Sequence, residues 1–186
     1  MRLFVAIWPP AEVVEELEKV QLRLKSAIDR QGVRFTGLSK VHLTMRFLGN
    51  VEEGRVPQVV DSLAANLQAV SLGGLEVVGI GAFPDVRRPA IVWAGISGDL
   101  ASLHARILEA TDDYAERADD KPLHPHLTLA RVSPPSQKVG RALDPLVREF
   151  AETTFATWAP TEVVLVQTVP GGAYEQVASF PLEPAR

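Results

Sequence analysis

Two stretches of this 186-residue chain share one frame, His-apolar-Thr-apolar: "HLTM" at 42–45 and "HLTL" at 126–129, 84 residues apart, in a chain with only four histidines. On a strand, side chains alternate faces. His42 and Thr44 therefore point one way and Leu43 and Met45 the other; His126 and Thr128 are separated from Leu127 and Leu129 in the same manner. Each apolar pair anchors its strand to a core, and each polar pair is left for an open face. Two such strands about a twofold axis bring two imidazoles and two hydroxyls into one groove. That set suits in-line displacement at phosphorus. One neutral imidazole takes a proton from the nucleophile, and one imidazolium gives a proton to the leaving oxygen. Hydroxyls donate to the non-bridging oxygens, where charge sits in the transition state. A guanidinium would complete the set, since its planar fork fits phosphate. Arg46 follows the first frame and Arg131 the second. Strand parity puts Arg46 on the face of His42. Parity puts Arg131 off the face of His126, unless the strand ends or bulges near Ala130.

The elements that must hold these groups are readable along the chain. "RLFVAIW" (2–8) is a β-rich run stopped by Pro9-Pro10, which suit the first turn of a helix. Val13, Leu17, Val20 and Leu24 then recur at helical spacing. After a break at Gly32 come the first frame strand, a helix over 56–70, and strands "LEVVGIGAF" and "AIVWAGI". A third helix over 100–118, an acidic loop "DDKP" and the second frame strand follow. A fourth helix, which Pro145 could bend or split, leads to three C-terminal strands, the last two joined by the turn "PGGA". Strand, helix, frame strand, helix occurs twice. Trp8 precedes His42 by 34 residues and Trp93 precedes His126 by 33. The period is too long for a solenoid. The expectation is a single α+β domain over 1–186: a pseudo-twofold duplication with two mainly antiparallel sheets flanked by helices.

Bulk properties narrow the classes. The formal net charge is −4, so no broad basic nucleic-acid surface is expected, only a local cleft. There is no cysteine, which excludes disulfides and thiolate metal sites. The N-terminal apolar run is too short for a membrane span and lacks a signal-peptide pattern. A cytoplasmic protein without membrane partners is expected.

The paired frames resemble the two-histidine (2H) phosphoesterase superfamily, defined by two His-x-Ser/Thr-x motifs. "RLFVAI", "VHLTMRFLGNV", "GAFPDVRRPAIVWAGI", "PHLTLARV" and "VVLVQTVPGGAYEQVASFPL" further resemble its RNA 2′,3′-cyclic phosphodiesterase, or 2′-5′ RNA ligase, branch. The resemblance implies a bilobal fold with a central groove and metal-free, cofactor-free hydrolysis of RNA 2′,3′-cyclic phosphate ends, or of nucleotides, to 2′-phosphates. It gives His42 the role of proton donor and His126 that of proton acceptor. Thr44 and Thr128 match the motif hydroxyls, and Arg131 matches a basic residue after the second motif. His124 is a departure, standing where the family often has an aromatic or basic residue. Ligation of RNA ends through 2′-5′ bonds is a secondary implied activity. The alternatives are a small cyclic nucleotide or cyclic ADP-ribose phosphate as substrate, and capture of RNA ends without turnover. Two intact His-Thr frames weigh against the last. A monomer is expected.

Other residues carry weaker signals. Phe83 and Tyr174 are candidates to stack on a base, though Phe83 suits a core equally well. His124 and His126 form a His-x-His pair that could begin a metal site, but no third ligand has an evident spacing. His104 lies within a helix, where a packing or surface role is expected.

Overall fold

The computed structural model describes residues 1–30, 32–117 and 122–184. In chain order the elements are β1 (Arg2–Ile7), α1 (Ala11–Ile28), β2 (Val33–Phe35), β3 (Leu43–Asn50), α2 (Val56–Asn66) and β4 (Ser71–Leu72). Then come β5 (Leu75–Phe83), β6 (Ile91–Ser97), α3 (Ala101–Thr111), β7 (His126–Val132), α4 (Gln137–Glu149) and β8 (Thr154–Trp158). β9 (Glu162–Thr168), β10 (Tyr174–Pro181) and β11 (Glu183–Pro184) complete the chain. The expected α+β class is observed. The loop read at "DDKP" lies, apart from Pro122, outside the described residues. Pro145 sits inside α4 without splitting it. Among the described residues no helix is long and apolar enough to cross a membrane.

Eight strands run in the order β10-β9-β1-β3-β7-β6-β5-β8, every neighbouring pair antiparallel, and β2 adds to β7. Two mainly antiparallel sheets were expected; these nine strands form one continuous sheet, and β11 and β4 pair in parallel as a separate two-stranded sheet. The two frame-bearing strands meet at its centre through a single residue pair, Leu43 opposite Leu127. Four strands lie on each side of that junction. Helix α1 shows why one face is closed: Val13, Leu17, Val20, Leu24 and Ile28 form a buried stripe. It packs into the same core as Leu3, Val5 and Ile7 of β1, and Leu43 and Leu127 of the junction. The alternate residues of β1, Phe4 and Ala6, face the other way. They form a small separate cluster with Val164 and Val166, against which Trp8 packs. The groove face of this half is therefore apolar-floored and carries no helix residues in its cluster.

The register corrects two readings. First, Thr44 pairs with Ala6 and Thr128 with Trp93. The sheet counterpart of Trp93 is thus Ala6, and the similar spacing of Trp8 and Trp93 from the frames is not a structural equivalence. Second, β3 bulges at Met45: Thr44 pairs with Ala6 but Arg46 with the adjacent Val5. The extra residue turns Arg46 and Phe47 to the faces opposite those that alternation assigns, up to a second bulge at Leu48. Arg46 is consequently not beside His42. It is 2% exposed, with Nη2 2.8 Å from Asp112 at the end of α3. Its Nε and Nη1 have no hydrogen-bond partner among the described residues.

A buried guanidinium with one ion pair is a poor stabiliser, because desolvation offsets much of the attraction. Asp112 is largely exposed, so water can solvate it when its partner is removed. Arg46→Met, which keeps the aliphatic bulk, is expected to hold or raise the thermal midpoint. Arg46→Ala, which leaves a cavity, is expected to lower it. A fall of more than about 5 °C in the Met variant would mean that the charge itself holds β3 to α3.

Candidate active site

Leu43 and Leu127 are the central apolar residues of the two frames. Counted antiparallel from this one pair, His42 falls opposite Thr128, and Thr44 opposite His126. The two histidines are then diagonal neighbours, a relationship that separates backbones by about 7–8 Å. All four polar side chains are half-buried.

Each imidazole is held the same way. His42 Nδ1 lies 2.8 Å from the carbonyl of Lys40, and His126 Nδ1 lies 2.7 Å from the carbonyl of His124. A carbonyl can only accept, so in both rings Nδ1 carries the proton and donates it. Nε2 is left as the reactive atom, an acceptor when neutral and a donor when charged. Aromatic rings enclose both. Trp8 stacks on His42 with centroids 5.0 Å apart at 25°, Phe4 stands 5.0 Å away, and Tyr174 meets the ring edge-on at 5.3 Å. Phe83 meets His126 edge-on at 5.0 Å, and Trp93 stands 6.4 Å away. The Trp93 ring lies directly across Gly81, where a Cβ would collide with it.

Burial among these rings pushes the pKa of both histidines below the ordinary value. For His42 the Lys40 carbonyl pulls the other way, and the charges of His126 and Arg131 add to the depression. For His126 the opposing partner is the His124 carbonyl, and the added charges are His124 and Arg131. Arg131 thus acts on both rings. Its position follows from a bulge at Leu129: Thr128 pairs with Trp93 but Ala130 with the adjacent Val92. The condition set by strand parity is met, and Arg131 turns to the face of His126.

The same bulge occupies the fourth frame position of each half. Phe47 is therefore the counterpart of Arg131, each five residues after its histidine. Phe47 is 65% exposed, and its ring is 5.9 Å from Phe4 on the groove face. Of the sequence candidates, His42, Thr44, Tyr174, His126, Thr128, Phe83 and Arg131 gather around the junction; Arg46 does not. Sequence reading missed Phe47, Phe4 and Trp8. Extending the 84-residue offset by two positions past each frame finds Phe47. Nothing local in the sequence announces the others.

Two further groups complete the surroundings. Lys40 Nζ donates to the Gly172 carbonyl at 2.9 Å and sits 5.8 Å over the Tyr174 ring. It ties the turn between β9 and β10 to the His42 side. His124 packs at 4.9 Å from Phe83 and 5.0 Å from Trp93. Among the described residues no group of three or more His, Cys, Asp or Glu stands together that could hold a metal ion. His104 borders a separate hollow with Leu123 and Pro125.

An α+β sheet whose central strands turn two His-x-Thr frames into one groove defines a two-histidine phosphoesterase. The comparisons with known proteins agree. The model of the 2′-5′ RNA ligase superfamily matches residues 8–172, and the chain belongs to that superfamily. It is 26% identical to the RNA 2′,3′-cyclic phosphodiesterase of Aquifex aeolicus, over 97% of this chain and 96% of that protein. It is 29% identical to the protein of the same name from Archaeoglobus fulgidus, over 91% and 92% of the two chains. In fold it resembles a crystal structure from Thermus thermophilus, with a TM-score of 0.76 at 24% identity over the whole of both chains. E. coli LigT complexed with 3′-AMP follows the same fold, with a TM-score of 0.73 at 21% identity over 97% of each chain.

The ring geometry has a direct spectroscopic consequence. In long-range ¹H–¹⁵N spectra, His42 and His126 are expected as Nδ1–H tautomers when neutral, with titration midpoints below the ordinary value near ~6.5. The unfolded chain then binds more protons than the folded one as pH falls through that value, so acidification should also cost stability. Nε2–H tautomers, or midpoints above ~6.5, would contradict the assigned hydrogen bonds and burial.

Proposed function

We propose that the protein hydrolyses RNA 2′,3′-cyclic phosphate ends to 2′-phosphates without a metal. The observation that carries this reading is the matched pair of Nδ1–carbonyl bonds, which leaves two Nε2 atoms to work at one groove within reach of one guanidinium charge. In this mechanism His126 accepts a proton from water as the oxygen attacks phosphorus. The bond from phosphorus to the 3′ oxygen breaks, and His42 delivers a proton to that oxygen. Thr44 and Thr128 donate to the non-bridging oxygens, and Arg131 offsets their charge. The names of the relatives support the substrate class.

His42 must be charged and His126 neutral at the same moment. With both pKa values pushed down, kcat/KM should follow a bell whose maximum falls on the acid side of the ordinary histidine value, rather than at neutrality. An anionic substrate would favour the imidazolium once bound. With a 5′-hydroxyl in the place of water, the same groups would form a 2′-5′ linkage.

The test is to offer an oligonucleotide ending in a 2′,3′-cyclic phosphate, with and without EDTA, and to identify the product. A 2′-phosphate formed at equal rates in both conditions is expected. Activity lost to EDTA and restored by Zn²⁺ or Mn²⁺ would overturn the two-histidine mechanism and return attention to His124 and His126 as ligands. A 3′-phosphate product would reverse the assignment of the leaving oxygen.

A further inference from the structure

Beside the groove, on the His42 side, a hollow of about 450 Å³ opens against the outer strands β9 and β10. Neither catalytic histidine lines it. Trp8 belongs to both places: it stacks on His42 and also forms one wall of the hollow, with Tyr174 on the rim. Val164 and Val166 form an apolar floor, and Lys40 brings the cation. Lys40 uses one donor on Gly172, and an ammonium has two more. Glu162 and Gln176 supply an acceptor and an amide at the edge.

The chemistry of the groove says what lies in this direction. When a cyclic phosphate opens to a 2′-phosphate, the leaving 3′ oxygen stays on the same ribose. The ribose therefore stands on the side of the acid, His42, and water arrives from the side of His126. Everything 5′ of that ribose in a chain continues away from the groove on the His42 side, where the hollow is. Single-stranded RNA is held by aromatic stacking and a cation for its backbone, both of which are present here. The net charge of −4 makes a local cation more telling than it would be on a basic surface.

We propose that this hollow is a subsite for the penultimate nucleotide of an RNA chain, with its nucleoside packed against Trp8 and Tyr174 and the linking phosphate met by Lys40. The proposal rests on the phosphodiesterase reading, and it makes the preferred substrate a chain end rather than a cyclic mononucleotide.

Three substrates separate the contributions: adenosine 2′,3′-cyclic phosphate, its 5′-phosphorylated form, and the dinucleotide ApA ending in a 2′,3′-cyclic phosphate. The dinucleotide is expected to exceed both mononucleotides in kcat/KM by about tenfold or more, the scale of one stacked base. Ala173 is exposed on the wall of the hollow, so Ala173→Leu should narrow it, and Lys40→Met removes the charge. In each variant the ratio of dinucleotide to mononucleotide kcat/KM should fall toward one. Equal rates on mono- and dinucleotide in the unaltered protein, or a ratio that survives both substitutions, would overturn the subsite. If the 5′-phosphorylated mononucleotide matched the dinucleotide, the hollow would be an anion site only, and the nucleoside claim would fall. Should none of the three be hydrolysed, the phosphodiesterase reading fails by itself. Binding then decides the hollow: ApA without a terminal phosphate should quench tryptophan fluorescence in the unaltered protein and less so in Ala173→Leu, and absence of quenching would refute it.

Discussion

The site depends on one contact, the pairing of Leu43 with Leu127 at the centre of the sheet. Both side chains are fully buried in the common core. Each is also the middle residue between a histidine and a threonine. Burying the two leucines against the core therefore compels the neighbouring polar groups onto the opposite face, in register with one another. The geometry of the candidate site is in this sense a by-product of core packing. A one-residue slip at this pair would send the histidines inward and the leucines into the groove. The apolar burial that fixes the fold also fixes the relative position of the two imidazoles.

Aromatic burial is the second constraint. Rings around each imidazole remove water and favour the neutral form, which suits a base and opposes an acid. The carbonyl bonds at Nδ1 pull back toward the charged form in both rings. The near-symmetry of these surroundings means that environment alone does little to tell the two histidines apart. What differs is the fifth residue after each histidine, Phe47 in the first half and Arg131 in the second. An apolar face at one end and a cation at the other make the two ends of the groove chemically different.

Much of this was legible in the sequence, because it rests on periodicity. Alternation in the frames placed His42, Thr44, His126 and Thr128 on one face, and the heptad-like stripe of α1 found the helix that covers the other. The reading failed where the period was interrupted. A bulge at Met45 turned Arg46 into the core and Phe47 into the groove, and no residue in "HLTMRF" marks the extra position. The matching bulge at Leu129 brought Arg131 to its place against strict parity. The single sheet was missed for a related reason: one residue pair joins its halves, too short a contact to leave a sequence pattern. Tyr174 was readable as an aromatic candidate, but its meeting with Phe4 and Trp8 around His42 was not, because some 166 residues separate it from them and they come together only in the fold.

The central claim is that His42 gives a proton to the leaving 3′ oxygen while His126 takes one from water. It is tested most directly by replacing that oxygen with sulfur in a 2′,3′-cyclic substrate. A thiolate departs without protonation, since free thiols ionise near ~8.5, so the acid becomes dispensable while the base does not. The rate of His42→Ala should be largely restored on the 3′-thio substrate, and that of His126→Ala should stay low. Rescue of His126→Ala instead would show that the roles are exchanged, and rescue of neither would contradict proton donation by either ring.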